Sequence, residues 1–268
     1  MKPENYPDII YKYRSWNKEF HRNILLKNEV YMSSPNDFND PFDCRIPKNH
    51  FLIDTPEKIE KYVNDGIEKH RDWLVAEGKD IDFEKKQLKK RLKDIETYQK
   101  EHEDLEYSKM DKHFGVLSLS GRWNSILMWS HYGCFHKGFC IGFNEEKMRN
   151  CGLFGKGGTV AYTEDFPELN PLEQEHTMEK SFKQTHNKAK DWKYEEEYRL
   201  TNLFFPNQPT NEQRVIQVPT EIIEEVNLGM NISQKNKDEI VEECLKKKIK
   251  VFQTEKIPFK FELTRKKI

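Results

Sequence analysis

Two glutamates stand two residues apart in the segment Trp192-Lys193-Tyr194-Glu195-Glu196-Glu197-Tyr198-Arg199-Leu200. If that segment runs as a strand in its second half, both carboxylates project to one face. Carboxylates so placed repel one another unless they serve a cation, a sugar or a proton transfer. Arg199 continues the same face and could hold one of them in place. The competing reading is a solvated strand face in a Glu-rich chain.

Three other segments carry reactive side chains. Tyr13-Arg14 closes an apolar run, and an arginine fork there suits a phosphate or carboxylate, although a structural ion pair uses the same geometry. Ser118 and Ser120 place two hydroxyls on one face of a strand. Met128-Trp129-Ser130-His131-Tyr132-Gly133-Cys134-Phe135-His136 adds histidines and a thiol. The spacing His131, Cys134, His136, Cys140 fits no standard structural zinc site, so no metal is expected. The glycine-rich stretch Gly152 to Gly158 lacks the Gly-Lys-Ser/Thr ending of an ATPase phosphate loop. His131 and Tyr132 are better read as the wall of a cleft.

The elements that must position these groups follow from periodicity. Ile9 to Arg14 reads as a first strand, a short helix passes through Ile24-Leu25-Leu26, and Glu29 to Ser34 reads as a second strand. Asn39-Asp40-Pro41 forms a turn. From about residue 55 to 112 the pattern becomes helical and charged. Thr55-Pro56-Glu57 starts a helix, with Ile59, Tyr62, Val63 and Ile67 on one side, and Leu88, Leu92 and Ile95 repeat the pattern. This reads as an inserted helical hairpin and a possible partner-binding arm. Beyond it, Gly115 to Ser120 and Gly138 to Phe143 are strands, with a helix over Ser125 to Tyr132 between them. A strand over Thr159 to Tyr162 precedes a polar helix from about Leu172 to Lys190. The remainder reads as strand Glu225 to Leu228, helix Asp238 to Lys247, and strands Ile249 to Gln253 and Phe259 to Leu263. The expected fold is α+β, a mixed and mainly antiparallel sheet flanked by helices, in one domain of 268 residues.

Composition narrows the function classes. Charged residues make up 34 % and aromatics 12 %, which suits an aromatic core with a charged helical periphery. Lys and Arg number 45 against 46 Asp and Glu, so any nucleic-acid contact must come from a local patch rather than an overall basic field. No apolar run approaches the roughly 20 residues needed to cross a bilayer. Five cysteines without CxxC spacing read as reduced thiols. A cytoplasmic protein without a membrane partner is expected.

Taken in order, Tyr11-Lys12-Tyr13-Arg14, Phe38-Asn39-Asp40-Pro41-Phe42-Asp43, Met128-Trp129-Ser130-His131-Tyr132-Gly133 with Lys137 to Phe143, and Trp192-x-Tyr194-Glu195-x-Glu197-Tyr198-Arg199 resemble the bacterial and phage domain-of-unknown-function family 2971. A more distant likeness is to the ADP-ribosyltransferases, whose pattern is Arg on a first strand, Ser-x-Ser on a middle strand and Glu-x-Glu on a late one. That resemblance implies a split sheet and NAD as substrate. It implies Arg14 on the NAD phosphates, with Tyr13, Ser118, Ser120, His131 and Tyr132 around the cofactor. Glu197 would stabilise an oxocarbenium-like ribose, and Glu195 would assist an acceptor. Here the middle motif is Ser-Leu-Ser rather than Ser-Thr-Ser, and the likeness offers no role for Asn39 to Asp43. The implied protein is a transferase modifying a protein or nucleic acid, in the manner of a toxin or antiphage effector. Two alternatives stand beside it. Asp40, Asp43, His131, Glu195 and Glu197 could serve a metal-dependent phosphodiesterase or nuclease, or the motifs could be fixtures of a non-enzymatic binding module.

Overall fold

The computed structural model describes residues 6–173 and 178–268. The chain divides into two compact units: Met1–Asn39, Lys112–Glu164 and Lys188–Ile268 form the first, Asp40–Asp111 and Asp165–Asn187 the second. The charged helical region therefore begins before residue 55, at the Asn39-Asp40-Pro41 turn, and recruits a later stretch of chain.

In chain order the elements are β1 (Ile9–Arg14), α1 (Glu19–Leu26), β2 (Glu29–Tyr31), α2 (Pro56–Lys69), α3 (Arg71–Ala76), α4 (Ile81–Arg91), α5 (Ile95–His113) and β3 (Phe114–Ser120). Then come α6 (Ile126–His131), β4 (Phe139–Asn144), α7 (Glu145–Asn150), β5 (Lys156–Thr159), β6 (Ala161–Thr163), α8 (Met178–Thr185) and β7 (Asn187–Ala189). The chain finishes with β8 (Glu197–Leu203), β9 (Val215–Gln217), β10 (Ile223–Leu228), α9 (Gln234–Lys247), β11 (Lys250–Lys256) and β12 (Leu263–Lys267).

The first unit is built on an eight-stranded sheet ordered β12-β11-β10-β4-β1-β3-β8-β5. Only β10 and β11 run parallel, so the sheet is mixed and mainly antiparallel, as its alternating sequence predicts. The strand order is continuous, and the expected split is reduced to one weak seam. β1 is paired with β4 along its whole length but with β3 at a single position, Tyr11 opposite Ser120.

Alternation sorts β1 between two cores. Ile10 packs with Phe139, Ile141, Leu117, and with Leu25 of α1 and Ile240 of α9. Tyr11 and Tyr13 take the other face, with Cys140 and with Met128 and Trp129 of α6. The Tyr13 and Trp129 rings meet edge to face at 5.1 Å. Ser125 caps α6 by accepting the Met128 N–H, at the start the sequence predicts.

The second unit is helical around Ile53, Val63, Ile67, Leu74, Leu92 and Tyr98. Thr55 caps α2 with Pro56 in its first turn, as expected. The predicted hairpin is in fact four helices. Gly78 adopts a left-handed φ of 67° after α3, and α4 ends at Arg91, so Leu88 and Ile95 lie on different helices. The Asx turn predicted at Asn39-Asp40-Pro41 forms, with the Phe42 N–H donating to Asp40 Oδ1 at 2.9 Å. Of the helix expected over Leu172 to Lys190, residues 174–177 lie outside the described residues. Thereafter α8 stops at Thr185, because the chain turns into β7 and a 3₁₀ turn over Lys190–Glu195. Phe259 to Leu263 is not a strand. Phe259 takes a φ of 60°, and a turn closes through the Lys260 N–H on the Ile257 carbonyl, which delays β12 to Leu263.

Candidate functional site

Glu195 and Glu197 do converge, but not as neighbours on one strand. Glu195 ends the 3₁₀ turn, Glu196 adopts a left-handed φ of 42°, and β8 begins only at Glu197. The turn brings both carboxylates onto Lys188 of β7, whose ammonium donates to Glu195 Oε2 at 2.6 Å and to Glu197 Oε2 at 3.2 Å. All three side chains are buried. Lys188 also lies 4.7 Å from the centre of the Trp192 ring. Nothing local in the sequence marks this lysine, which sits in a polar stretch assigned to a helix.

Arg199 completes the network, as its place on the same strand face predicts. Its Nε donates to Glu197 Oε1 at 2.7 Å and its Nη2 to Oε2 at 2.8 Å. This two-point grip is the strongest geometry open to an arginine and a carboxylate. Phe38, from the Phe-Asn-Asp-Pro-Phe-Asp motif, stands 5.8 Å from the guanidinium. That gives the first residue of the motif a place beside the site, while Asp40 and Asp43 fall in the second unit.

The two carboxyls are tuned apart. Burial pushes Glu197 up, but Arg199, Lys188 and a Ser118 hydrogen bond together outweigh it and hold the group well below the usual carboxylate range. Burial raises Glu195 despite Lys188. Tyr132 donates to Glu195 Oε1 at 2.7 Å, and burial together with that carboxylate raises its phenol. The Glu197 N–H donates to the Tyr162 hydroxyl at 2.7 Å.

Across the β3–β8 ladder Ser118 lies opposite Arg199 and Ser120 opposite Glu197. Both serines thus reach the glutamate segment. Ser118 is half-buried, whereas Ser120 is fully buried and donates to the Glu195 carbonyl at 2.7 Å. Ser120 fixes the turn that presents Glu195.

Arg14 is set apart from the glutamates. It alternates with Tyr11 and Tyr13, so it belongs to the sheet face opposite Ser120 and Glu197. Its Nη1 donates to the Tyr13 carbonyl at 3.3 Å, and it forms no ion pair among the described residues. Burial lowers it to about 10. Lys12, on the same face, bridges the weak seam by donating to the Ser118 carbonyl. Burial, then Arg14, lowers the Lys12 ammonium, and Glu197 and Glu195 are close enough to oppose that. His21 of α1 is lowered to about 4 by burial and by Arg14, Lys18 and Lys12. Lys12, Arg14 and His21 therefore form a basic group lacking an acid of its own among the described residues. Lys12 links it to the carboxylates.

Two predicted ligand contacts have other occupations. Tyr13 is buried against Trp129 and donates to the Arg122 carbonyl at 2.8 Å, so its ring has no open face for stacking. His131 is exposed, with its ring near Tyr132 and Tyr194, outside the polar network.

The loop joining α6 to β4 sets the end of β1. Cys134, Phe135 and His136 all adopt left-handed φ values, 51°, 54° and 63°. They bring Gly138 so near β1 that an added Cβ would lie 2.1 Å from the Arg14 carbonyl oxygen. Only glycine fits there.

No helix among the described residues is long and apolar enough to cross a membrane. No curated protein and no solved structure matches the chain. Residues 128–200, running from α6 through the Glu195–Arg199 network, match the family model DUF2971, described as a protein of unknown function.

Proposed function

We propose that the first unit is an ADP-ribosyltransferase-like enzyme that uses NAD as substrate and modifies a protein or nucleic acid. The observation that carries this reading is the gathering of Ser118, Ser120 and Glu197 on the paired strands β3 and β8, with Glu195 presented by the turn that leads into β8, beside the one weakly paired seam of the sheet. A basic group formed by Lys12, Arg14 and His21 lies beyond that seam. Cleavage of the nicotinamide–ribose bond builds positive charge on the ribose, and the nicotinamide leaves with the bonding electron pair. Glu197, held ionised by Arg199, stabilises that charge where it develops. The NAD pyrophosphate finds its counter-charge in Lys12, whose ammonium reaches across the seam to Ser118. Engagement of the ribose by Glu197 requires Lys188 to release one carboxylate, and its 3.2 Å contact to Glu197 is the longer of the two. Glu195, with its raised carboxyl, is suited to accept the proton of the acceptor.

One observation favours a second reading. Glu197 is 4 % exposed and already accepts from Arg199, Lys188 and Ser118. A saturated buried cluster also serves as a polar clamp in a non-enzymatic binding module. Incubation with labelled NAD and cell extract separates the two. The enzyme reading expects label transfer that Glu197→Gln abolishes, and equal lack of transfer by both proteins defeats it.

A further inference from the structure

The far edge of the sheet has a charge of its own. Although the whole chain carries a formal net charge of −1, the stretch from Lys248 to Lys267 holds seven Lys or Arg and two Glu. The β11–β12 register, Phe252 opposite Lys267 through Lys256 opposite Leu263, arranges this excess along the sheet edge. At one end Lys248, Lys250, Lys266 and Lys267 are exposed, and none forms an ion pair among the described residues. At the other end the turn projects Phe259 and Phe261, with relative exposures of 107 % and 99 %. The two ends lie roughly 20 Å apart at the rise of an antiparallel strand.

We infer that this edge binds single-stranded nucleic acid, with the lysine end holding phosphates and the two phenylalanines stacking on bases. The distribution of charge decides against a lipid surface. A membrane-inserting tip needs its cations around the apolar side chains, whereas here Lys256 and Lys260 beside the phenylalanines are balanced by Glu255 and Glu262. Cations in excess stand a strand's length away, as an extended polyanion with flat apolar faces requires. Arg265 is occupied elsewhere, donating to Asn227 at 2.9 Å and paired with Glu225, so it anchors the strand. This inference does not depend on the transferase reading, because binding is measured without NAD.

Fluorescence anisotropy with labelled 20-nucleotide single-stranded DNA and RNA tests it, across a salt series, with phosphatidylserine vesicles and polyglutamate as comparison probes. Wild type is expected to bind at least one of the oligonucleotides, more weakly as salt rises. Phe259→Ala and Phe261→Ala should each weaken binding about fivefold or more at an unchanged salt slope. Lys266→Glu with Lys267→Glu should reduce the salt slope by about 1 to 2. All four positions are exposed, and circular dichroism checks that the variants keep their fold. The inference is overturned by any of three results: neither oligonucleotide bound at 50 mM salt, affinity indifferent to both phenylalanines, or preference for vesicles or polyglutamate.

Discussion

Arg199 grips Glu197, two residues before it on β8, through two hydrogen bonds of 2.7 and 2.8 Å, both side chains buried. A buried carboxylate robbed of such a partner keeps its desolvation cost without the compensating attraction. Arg199→Met is therefore expected to destabilise the protein by about 3 kcal/mol or more. Replacing both residues, as Arg199→Met with Glu197→Gln, should recover part of that loss. Urea unfolding of the single and double variants checks the coupling, and additive losses would show that the pair does not act as a unit.

Burial and Arg14 disfavour the charged forms of Lys12 and His21, and an arriving polyanion opposes that effect. Binding of ADP-ribose should therefore be accompanied by proton uptake, and affinity should fall as pH rises. Calorimetry in two buffers of different ionisation enthalpy measures the uptake. Lys12→Met should lower both the uptake and, roughly tenfold, the affinity. Zero net uptake would contradict the assignment of this basic group to the phosphates.

Gly138 lies where no side chain fits, since a Cβ would stand 2.1 Å from the Arg14 carbonyl oxygen. Gly138→Ala should cost about 2 to 4 kcal/mol and displace the end of β1. Thermal unfolding and ADP-ribose binding of the same variant are expected to fall together. Stability equal to wild type would mean that the close approach is relieved at no cost.

His50 and His21 are both lowered to about 4, chiefly by burial. The folded protein thus keeps them neutral at pH values where the unfolded chain binds protons. Their contribution is complete above about pH 6.5 and is lost as pH falls towards 4. Denaturant midpoints should decline over that window. Because the His50 Nδ1–H donates to the Gln99 side-chain oxygen, 3.0 Å away, His50→Gln should flatten part of the decline while lowering stability at pH 7. An undiminished decline in His50→Gln would remove His50 as its source.

The legible parts of the sequence were those governed by local rules. β1 was bounded by its alternation, α2 by Thr55-Pro56, and α6 by Ser125. Arg199 could be placed beside Glu197 because strand periodicity sets both on one face. Lys188 could not be found, since its meaning depends on a turn at Glu196 and on pairing with β6. The left-handed conformation of Glu196, a residue type that rarely adopts it, gives no local signal. The weak seam between β1 and β3 was likewise hidden, because pairing between strands a hundred residues apart is a tertiary property. The register across that seam, Tyr11 opposite Ser120, sets Arg14, expected beside Glu197, on the other face by alternation.

The most direct measurement is nicotinamide release from NAD in the presence of cell extract, for wild type and for Glu197→Gln, each shown by circular dichroism to be folded at the assay temperature. Steady release by the wild type is predicted, with a loss of about 100-fold or more in the variant, the scale of removing a transition-state charge stabiliser. Folded wild type that releases no nicotinamide, or a variant that releases it at the wild-type rate, would contradict the transferase assignment.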